Sequence, residues 1–139
     1  MISGEYKHTI DPKNRMVFPA KLREKLGDVI VLMKSTDPCI SVYPLSAWQA
    51  FSEKLEAMPQ AGIRDLKRFL YSSVDEQTLD GQGRVLIPAA LKEWAGLDKN
   101  VTTIGVGDHA EIWDEAALAE RIGSIDPADV AAKLVELGL

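Results

Sequence analysis

One segment of this chain is written twice. Asp11-Pro-Lys-Asn-Arg15-Met-Val-Phe-Pro19-Ala20-Lys-Leu22 returns as Asp80-Gly-Gln-Gly-Arg84-Val-Leu-Ile-Pro88-Ala89-Ala-Leu91. At one constant offset the pairs Asp11/Asp80, Arg15/Arg84, Pro19/Pro88, Ala20/Ala89 and Leu22/Leu91 keep their identity, and Gly27/Gly96 continues the register. After one inserted residue, Val42-Tyr43 falls opposite Ile112-Trp113. Whatever the first half builds, the second must build too. Units this small bury apolar surface poorly alone, so the two are expected to share one closed, barrel-like sheet. A repeated Asp-x-x-x-Arg turn followed by three apolar residues and Pro-Ala has the form of a structural unit that presents an arginine.

Within each repeat the pattern reads as strand, turn, strand, helix, strand, strand. Tyr6, His8 and Ile10 alternate with polar residues, the period of a half-buried strand. The turn leads into Met16-Val-Phe18 or Val85-Leu-Ile87, then Pro19 or Pro88 opens a short helix at its first position, where a missing N–H costs nothing. Gly27 and Gly96 stop that helix. Val29–Met33 and Val101–Val106 give the next strands, and Ile40–Tyr43 and Glu111–Trp113 close each unit. Ser46-Ala-Trp-Gln49 has the form of a capping box for a helix reaching about Glu56. Ile63, Leu66, Leu70 and Val74 share one face of a second linking helix. Asp114 caps a helix reaching about Ile122, and Asp126-Pro127 opens a last one striped by Val130, Leu134 and Leu137. The fold class is therefore mainly β with α (α+β). It comprises a repeat at 5–47, linking helices at 48–75, a second repeat at 76–119 and a C-terminal helix at 120–139.

Composition excludes more than it assigns. The 139 residues are 46% hydrophobic and 27% charged, ordinary globular usage. No apolar run is long enough to span a bilayer, and the N-terminus lacks the apolar core of a secretory signal. Cys39 is the single cysteine, so neither an intrachain disulfide nor a cysteine-based zinc site can form. A cytoplasmic protein is the plain expectation. The net charge of −5 speaks against nucleic acid, but its distribution speaks for it. From Lys7 to Lys25 six basic residues (Lys7, Lys13, Arg15, Lys21, Arg23, Lys25) face only Asp11 and Glu24, whereas beyond Asp114 acidic residues dominate. Such polarity suits a chain that turns one face to phosphates; it also arises by chance on a solvated face.

Each aspartate sits four residues before an arginine, across a turn. Its carboxylate can accept turn N–H groups and hold the guanidinium at once, which aims Arg15 and Arg84 outward. A pre-aimed guanidinium can bridge guanine N7 and O6 in the major groove, and a two-stranded ribbon fits that groove. The bland alternative is an ion pair that only steadies a hairpin, worth about 0–1 kcal/mol when exposed. Lys7, Lys13, Lys21 and Arg23 are candidate phosphate contacts or plain solvated side chains. The second turn lacks flanking lysines, which makes Arg84 the weaker expected contact. No phosphate loop, zinc spacing or nucleophile elbow appears, and nothing supplies a base and oxyanion donors around Cys39, His8 or His109, so no catalytic residue, metal or cofactor is assigned. Trp48, Phe51, Phe69 and Tyr71 read as core or subunit contacts.

The residues Gly4-Glu-Tyr6, His8-Thr-Ile-Asp11, Lys13, Arg15, Phe18-Pro-Ala20 and Leu22-Arg23, with Asp80, Gln82-Gly-Arg84, Leu86-Ile-Pro88, Leu91 and Glu111-Ile-Trp113 in the second half, resemble the MraZ family of bacterial transcriptional regulators, within the AbrB-like swapped-hairpin group. The resemblance covers both repeats and the helices between them. It implies a double-split, swapped-hairpin β-barrel, assembly of a homo-oligomeric ring, and binding to double-stranded DNA. It further implies association with the nucleoid and repression of the protein's own cell-division and wall-synthesis operon through short direct repeats upstream. Where the family's first motif carries glycine before its arginine, as Gly83 does in the second, this chain has Asn14, the next best residue at positive φ. An antitoxin-like interaction module of the same fold is the alternative. Such a module usually adds a long disordered tail, whereas this C-terminus reads as a capped helix.

Overall fold

Each repeat folds into the expected succession, yet neither pairs its first two strands with its own last two. The computed structural model describes residues 1–139. The first repeat holds β1 (Glu5–Thr9), β2 (Arg15–Val17), α1 (Ala20–Leu26), β3 (Val29–Lys34) and β4 (Ile40–Pro44), and the first linking helix, α2 (Leu45–Glu56), follows it. A 3-10 turn at Gln60–Gly62 and α3 (Arg64–Tyr71) lead to the second repeat. That repeat holds β5 (Asp75–Thr78), β6 (Arg84–Leu86), α4 (Ala89–Ala95), β7 (Asn100–Gly105), β8 (Ala110–Asp114) and α5 (Glu115–Gly123), with α6 (Pro127–Glu136) last. β1 pairs with β7, from Glu5↔Ile104 to Thr9↔Asn100, and β5 pairs with β3. Each repeat thus lends its opening strand to the other's sheet. The resulting six-stranded antiparallel sheet has the order β1-β7-β8-β4-β3-β5, while β2 and β6 pair only with each other.

The exchange explains both what holds the fold together and where it departs from expectation. Phe18, Leu22, Ile30, Leu32 and Ile40 of the first repeat share one buried cluster with Val85, Ile87, Leu91, Val101 and Ile112 of the second. Each such side chain contributes roughly 1.5–3 kcal/mol by leaving water, and neither repeat could enclose it alone. The run Ile30–Met33 is buried throughout, as a strand covered on both faces requires. The expected closed sheet is not formed. β1 and β5 are the two ends of the strand order and no ladder joins them. With β2 and β6 committed to each other as a separate ribbon, no strand remains to bridge those edges.

Three local expectations shift. Pro19 and Pro88 lie one residue before the helices, as N-caps with extended backbone (ψ 152° and 140°). There the Pro19 carbonyl accepts from the Leu22 and Arg23 amides, and a missing N–H is equally harmless. The capping box at Ser46 is not made: α2 begins at Leu45 without a side-chain cap, which places Ser46 inside the first turn. Asp114 and Asp126 do cap, accepting from the Ala117 and Ala128 amides. Trp48, Phe51, Phe69 and Tyr71 are half-buried, outside the main core. Trp48 packs against Phe51 and Tyr71, and Phe69 stands edge-on to Trp94 at 5.3 Å. Every residue from 119 to 139 is exposed, the apolar stripe of α6 included. No helix is long and apolar enough to cross a membrane.

Candidate nucleic-acid interface

Both turns close in the same way. Asp11 Oδ1 accepts from the Lys13 and Arg15 amides, each at 2.9 Å, while Oδ2 accepts from Arg15 Nε at 3.0 Å. Asp80 Oδ1 accepts from the Gln82 amide at 2.9 Å and the Arg84 amide at 3.1 Å, and Oδ2 from Arg84 Nε at 2.7 Å. The residue before each arginine takes positive φ, 60° at Asn14 and 74° at Gly83, the region open to glycine and least costly for asparagine among the rest. The carboxylates are held below their ordinary value of 3.8, first by the Arg15 and Arg84 amides and then by the guanidinium groups. A depressed carboxylate stabilises the turn above that ordinary value and loses its effect as pH falls through the folded one. The turns therefore stay charged and closed at neutral pH. Because each Nε is occupied by its own aspartate, the terminal nitrogens of both guanidiniums are left to a ligand.

The two arginines stand on one surface because β2 and β6 are neighbours. Their register is Arg15↔Leu86, Met16↔Val85 and Val17↔Arg84. Strand side chains alternate between faces. Met16 and Val85, each 1% exposed, point into the core, and Arg15, Val17, Arg84 and Leu86 point outward. A two-stranded ribbon is marginally stable by itself, and here side chains of the main sheet fasten its edges. Gln77 of β5 donates to the Leu86 carbonyl and accepts from the Leu86 amide. His8 of β1, at the matching position of the first repeat, lies 3.0 Å from the Val17 carbonyl through Nδ1. A carbonyl only accepts, so Nδ1 carries the proton.

His8 has an expected pH signature. Its Nε2 is buried without a partner, the ring stands edge-on to Phe18 at 5.9 Å, and burial pulls its pKa below 6.5 despite the opposing Val17 bond. A base with a depressed folded-state pKa binds protons more readily when unfolded, so stability declines as pH falls below about 6.5 and levels off beneath the folded value. His8→Gln, which installs the second repeat's own solution, is expected to fold and to lose part of that decline. Urea midpoints at about pH 7.5 and about pH 5.5 measure it; an equal acid-side loss in both proteins contradicts the assignment.

The helices are exchanged as well, which revises the charge picture. Arg23 of α1 donates to the Gly81 carbonyl of the second turn at 3.3 Å, lying so close over Gly83 that an added Cβ would collide with Arg23 Cδ. Lys92 of α4, at the equivalent position, donates to Asn14 Oδ1 of the first turn at 2.9 Å. The second turn is therefore not short of positive charge: it takes its cation from the first repeat. Lys7, Arg15 and Arg84 line one recess, but Lys7 Nζ lies 3.4 Å from Glu115. Lys13 and Lys21 are exposed. Sequence reasoning had Arg23 as a candidate phosphate contact but not at the second turn, and it overlooked Lys92 at the first turn and Val17 and Leu86 on the ribbon face. Two signals pointed to them: the basic pair at the repeat offset, and the strand period counted two residues on from each arginine. Cys39 is fully buried against Trp113 and Leu118, and burial pushes its thiol up to about 12. His109 stacks on Tyr43 at 4.4 Å and bonds Asp108.

A family model described as "MraZ protein, putative antitoxin-like" matches residues 1–68 and 70–121. The chain belongs to the MraZ family. Relatives named "Transcriptional regulator MraZ" include those of Clostridium acetobutylicum, 42% identical over 142 residues, and of Heliobacterium modesticaldum and Moorella thermoacetica, each 43% identical over 143 residues. In all three cases the match covers 100% of both chains. The family match spans both Asp-x-x-x-Arg turns and the ribbon between them.

Proposed function

We propose that this protein is a DNA-binding transcriptional regulator that reads sequence with the β2–β6 ribbon. The observation that carries the reading is the pair of pre-aimed guanidiniums, Arg15 and Arg84, on the outer face of one two-stranded ribbon, an element the major groove admits. Regulators of the same family name, matched over their full length, support it. In this reading the ribbon enters the groove, the arginines meet guanines, and Lys13, Lys21, Arg23 and Lys92 lie toward phosphates, which position the protein without reading sequence. Asp11, Asp80, Asn14 and Gly83 shape the turns and do not touch DNA.

A single ribbon on a chain of net charge −5 makes a modest contact. Several copies on short direct repeats would multiply it through effective concentration. The exposed apolar stripe of α6, with Val130, Leu134 and Leu137 all open to solvent, supports a homo-oligomer, which we take to be a ring. Repression of the protein's own division and wall-synthesis operon follows if those repeats lie over its promoter, in a cytoplasmic protein held at the nucleoid. The deciding experiment compares retention of DNA upstream of its own gene with unrelated DNA of equal length at matched salt; equal retention rejects the reading.

Salt dependence separates phosphate contacts from the rest. Each neutralised phosphate steepens the fall of affinity with salt by roughly one unit of log–log slope. Lys13→Ala is expected to flatten the slope by about that unit and weaken all sequences alike. Gln82→Ala, at the same place in the second turn, is expected to leave it unchanged. Titrations across a salt series decide: a wild-type slope in the Lys13 variant removes that lysine from the contact.

A further inference from the structure

The ribbon presents two aliphatic side chains that a reader of phosphates would not need. Val17 and Leu86 are 49% and 53% exposed, on the same outer face as Arg15 and Arg84. The register sets Leu86 opposite Arg15 and Val17 opposite Arg84. The Ile87 amide donates to the Asn14 carbonyl at 2.8 Å and the Phe18 amide to the Gly83 carbonyl at 3.0 Å. Those bonds flank the two pairs and make both of them the non-hydrogen-bonded kind, whose Cα atoms approach to about 4.5 Å and whose side chains lie closest. Each arginine therefore lies directly across the ribbon from an aliphatic residue of the other strand. The two repeats keep this arrangement while differing in residue, valine in one and leucine in the other, so the common element is apolar character.

In the major groove guanine is marked by two acceptors and thymine by its 5-methyl group, the one apolar mark a base edge offers there. An arginine beside an aliphatic side chain matches a guanine beside a thymine. The cations around the ribbon, Lys13, Arg23 and Lys92 with the two arginines, favour a polyanion as the occupant of this face over the same face of a second copy, which would set like charges together. We propose that Leu86 and Val17 are specificity-determining residues that read thymine 5-methyl groups next to the guanines met by Arg15 and Arg84. The inference rests on the ribbon being the DNA-reading face, and its test separates the two.

The probe is the duplex upstream of the gene, with each thymine replaced in turn by deoxyuridine, which lacks only the methyl group. Wild-type affinity is expected to fall three- to tenfold at one or a few positions. Leu86→Ala is expected to bind the thymine duplex as weakly as wild type binds the deoxyuridine duplex, and to lose nothing further on it. Val17→Ser, which removes both methyl groups, is expected to lose sensitivity at a different thymine. The inference is overturned if no deoxyuridine duplex binds more weakly, or if the methyl and side-chain losses add independently. It is also overturned if the variants sediment as smaller assemblies, which makes this face a contact between copies. Wild type that fails to prefer the upstream duplex over unrelated DNA defeats the DNA reading itself, and with it the inference; preference without methyl sensitivity defeats the inference alone.

Discussion

Arg15→Ala and Arg84→Ala are each expected to lower affinity for the upstream DNA by roughly tenfold or more per ribbon, with fold and assembly unchanged. One bidentate guanine contact is worth about 1–3 kcal/mol of discrimination, and about 1.4 kcal/mol is a factor of ten. Subunits bound together along tandem repeats would compound the loss. Both arginines are half-exposed and lie outside the core, so truncation leaves a solvated aspartate and no cavity. The charge around each turn, counted along the chain, made Arg84 the lesser contact. The ribbon narrows that asymmetry to Lys13 against Gln82, because Arg84 shares the outer face with Arg15 and Arg23 reaches its turn as Lys92 reaches the first. Comparable losses in the two variants are therefore expected in titrations against specific and unrelated duplexes. Unchanged specific affinity in both, with wild-type sedimentation, rejects the ribbon as the reading element.

Phe18→Ala is expected to be the most damaging single truncation for stability. Phe18 is fully buried among residues of both repeats. It follows β2 directly, its amide bonds the Gly83 carbonyl of the opposite turn, and its ring meets His8 at 5.9 Å. Removing a buried phenyl ring costs about 3–5 kcal/mol through lost transfer energy and the cavity left behind, against a total stability of about 5–15 kcal/mol for a domain. The ribbon and the main sheet should fail together, because one core holds both. Urea unfolding followed by tryptophan fluorescence reports it through Trp113, which is 4% exposed. A midpoint shift corresponding to less than about 1 kcal/mol shows that the site collapses around the gap.

Local chemistry was readable without coordinates wherever it depends on neighbours in the chain. The Asp-x-x-x-Arg turns, the positive φ at Asn14 and Gly83, the helices stopping at Gly27 and Gly96, and the caps at Asp114 and Asp126 all follow from bonds that span a few residues. The duplication likewise required the two units to share a core. What eluded the linear reading is what passes between the repeats. A pattern of period two says that Arg15 and Val17 share a face, but not that Leu86 and Arg84 complete it. The repeat offset sets Arg23 against Lys92 as two equivalent cations, but does not show that each crosses to the other's turn.

The sequence by itself determined two copies of a turn that aims an arginine, because a carboxylate four residues upstream can reach both the amide and Nε of that arginine. Only the tertiary structure decided that the two arginines belong to one surface. In two identical-looking units a strand can satisfy its hydrogen bonds within its own repeat or with the equivalent partner in the other, and the local sequence is the same in either case. Burial of a shared core separates the alternatives: exchanging β1 and β5 lets the apolar faces of both repeats close on each other. It also leaves β2 and β6 to pair across the join, with Arg15 and Arg84 outward.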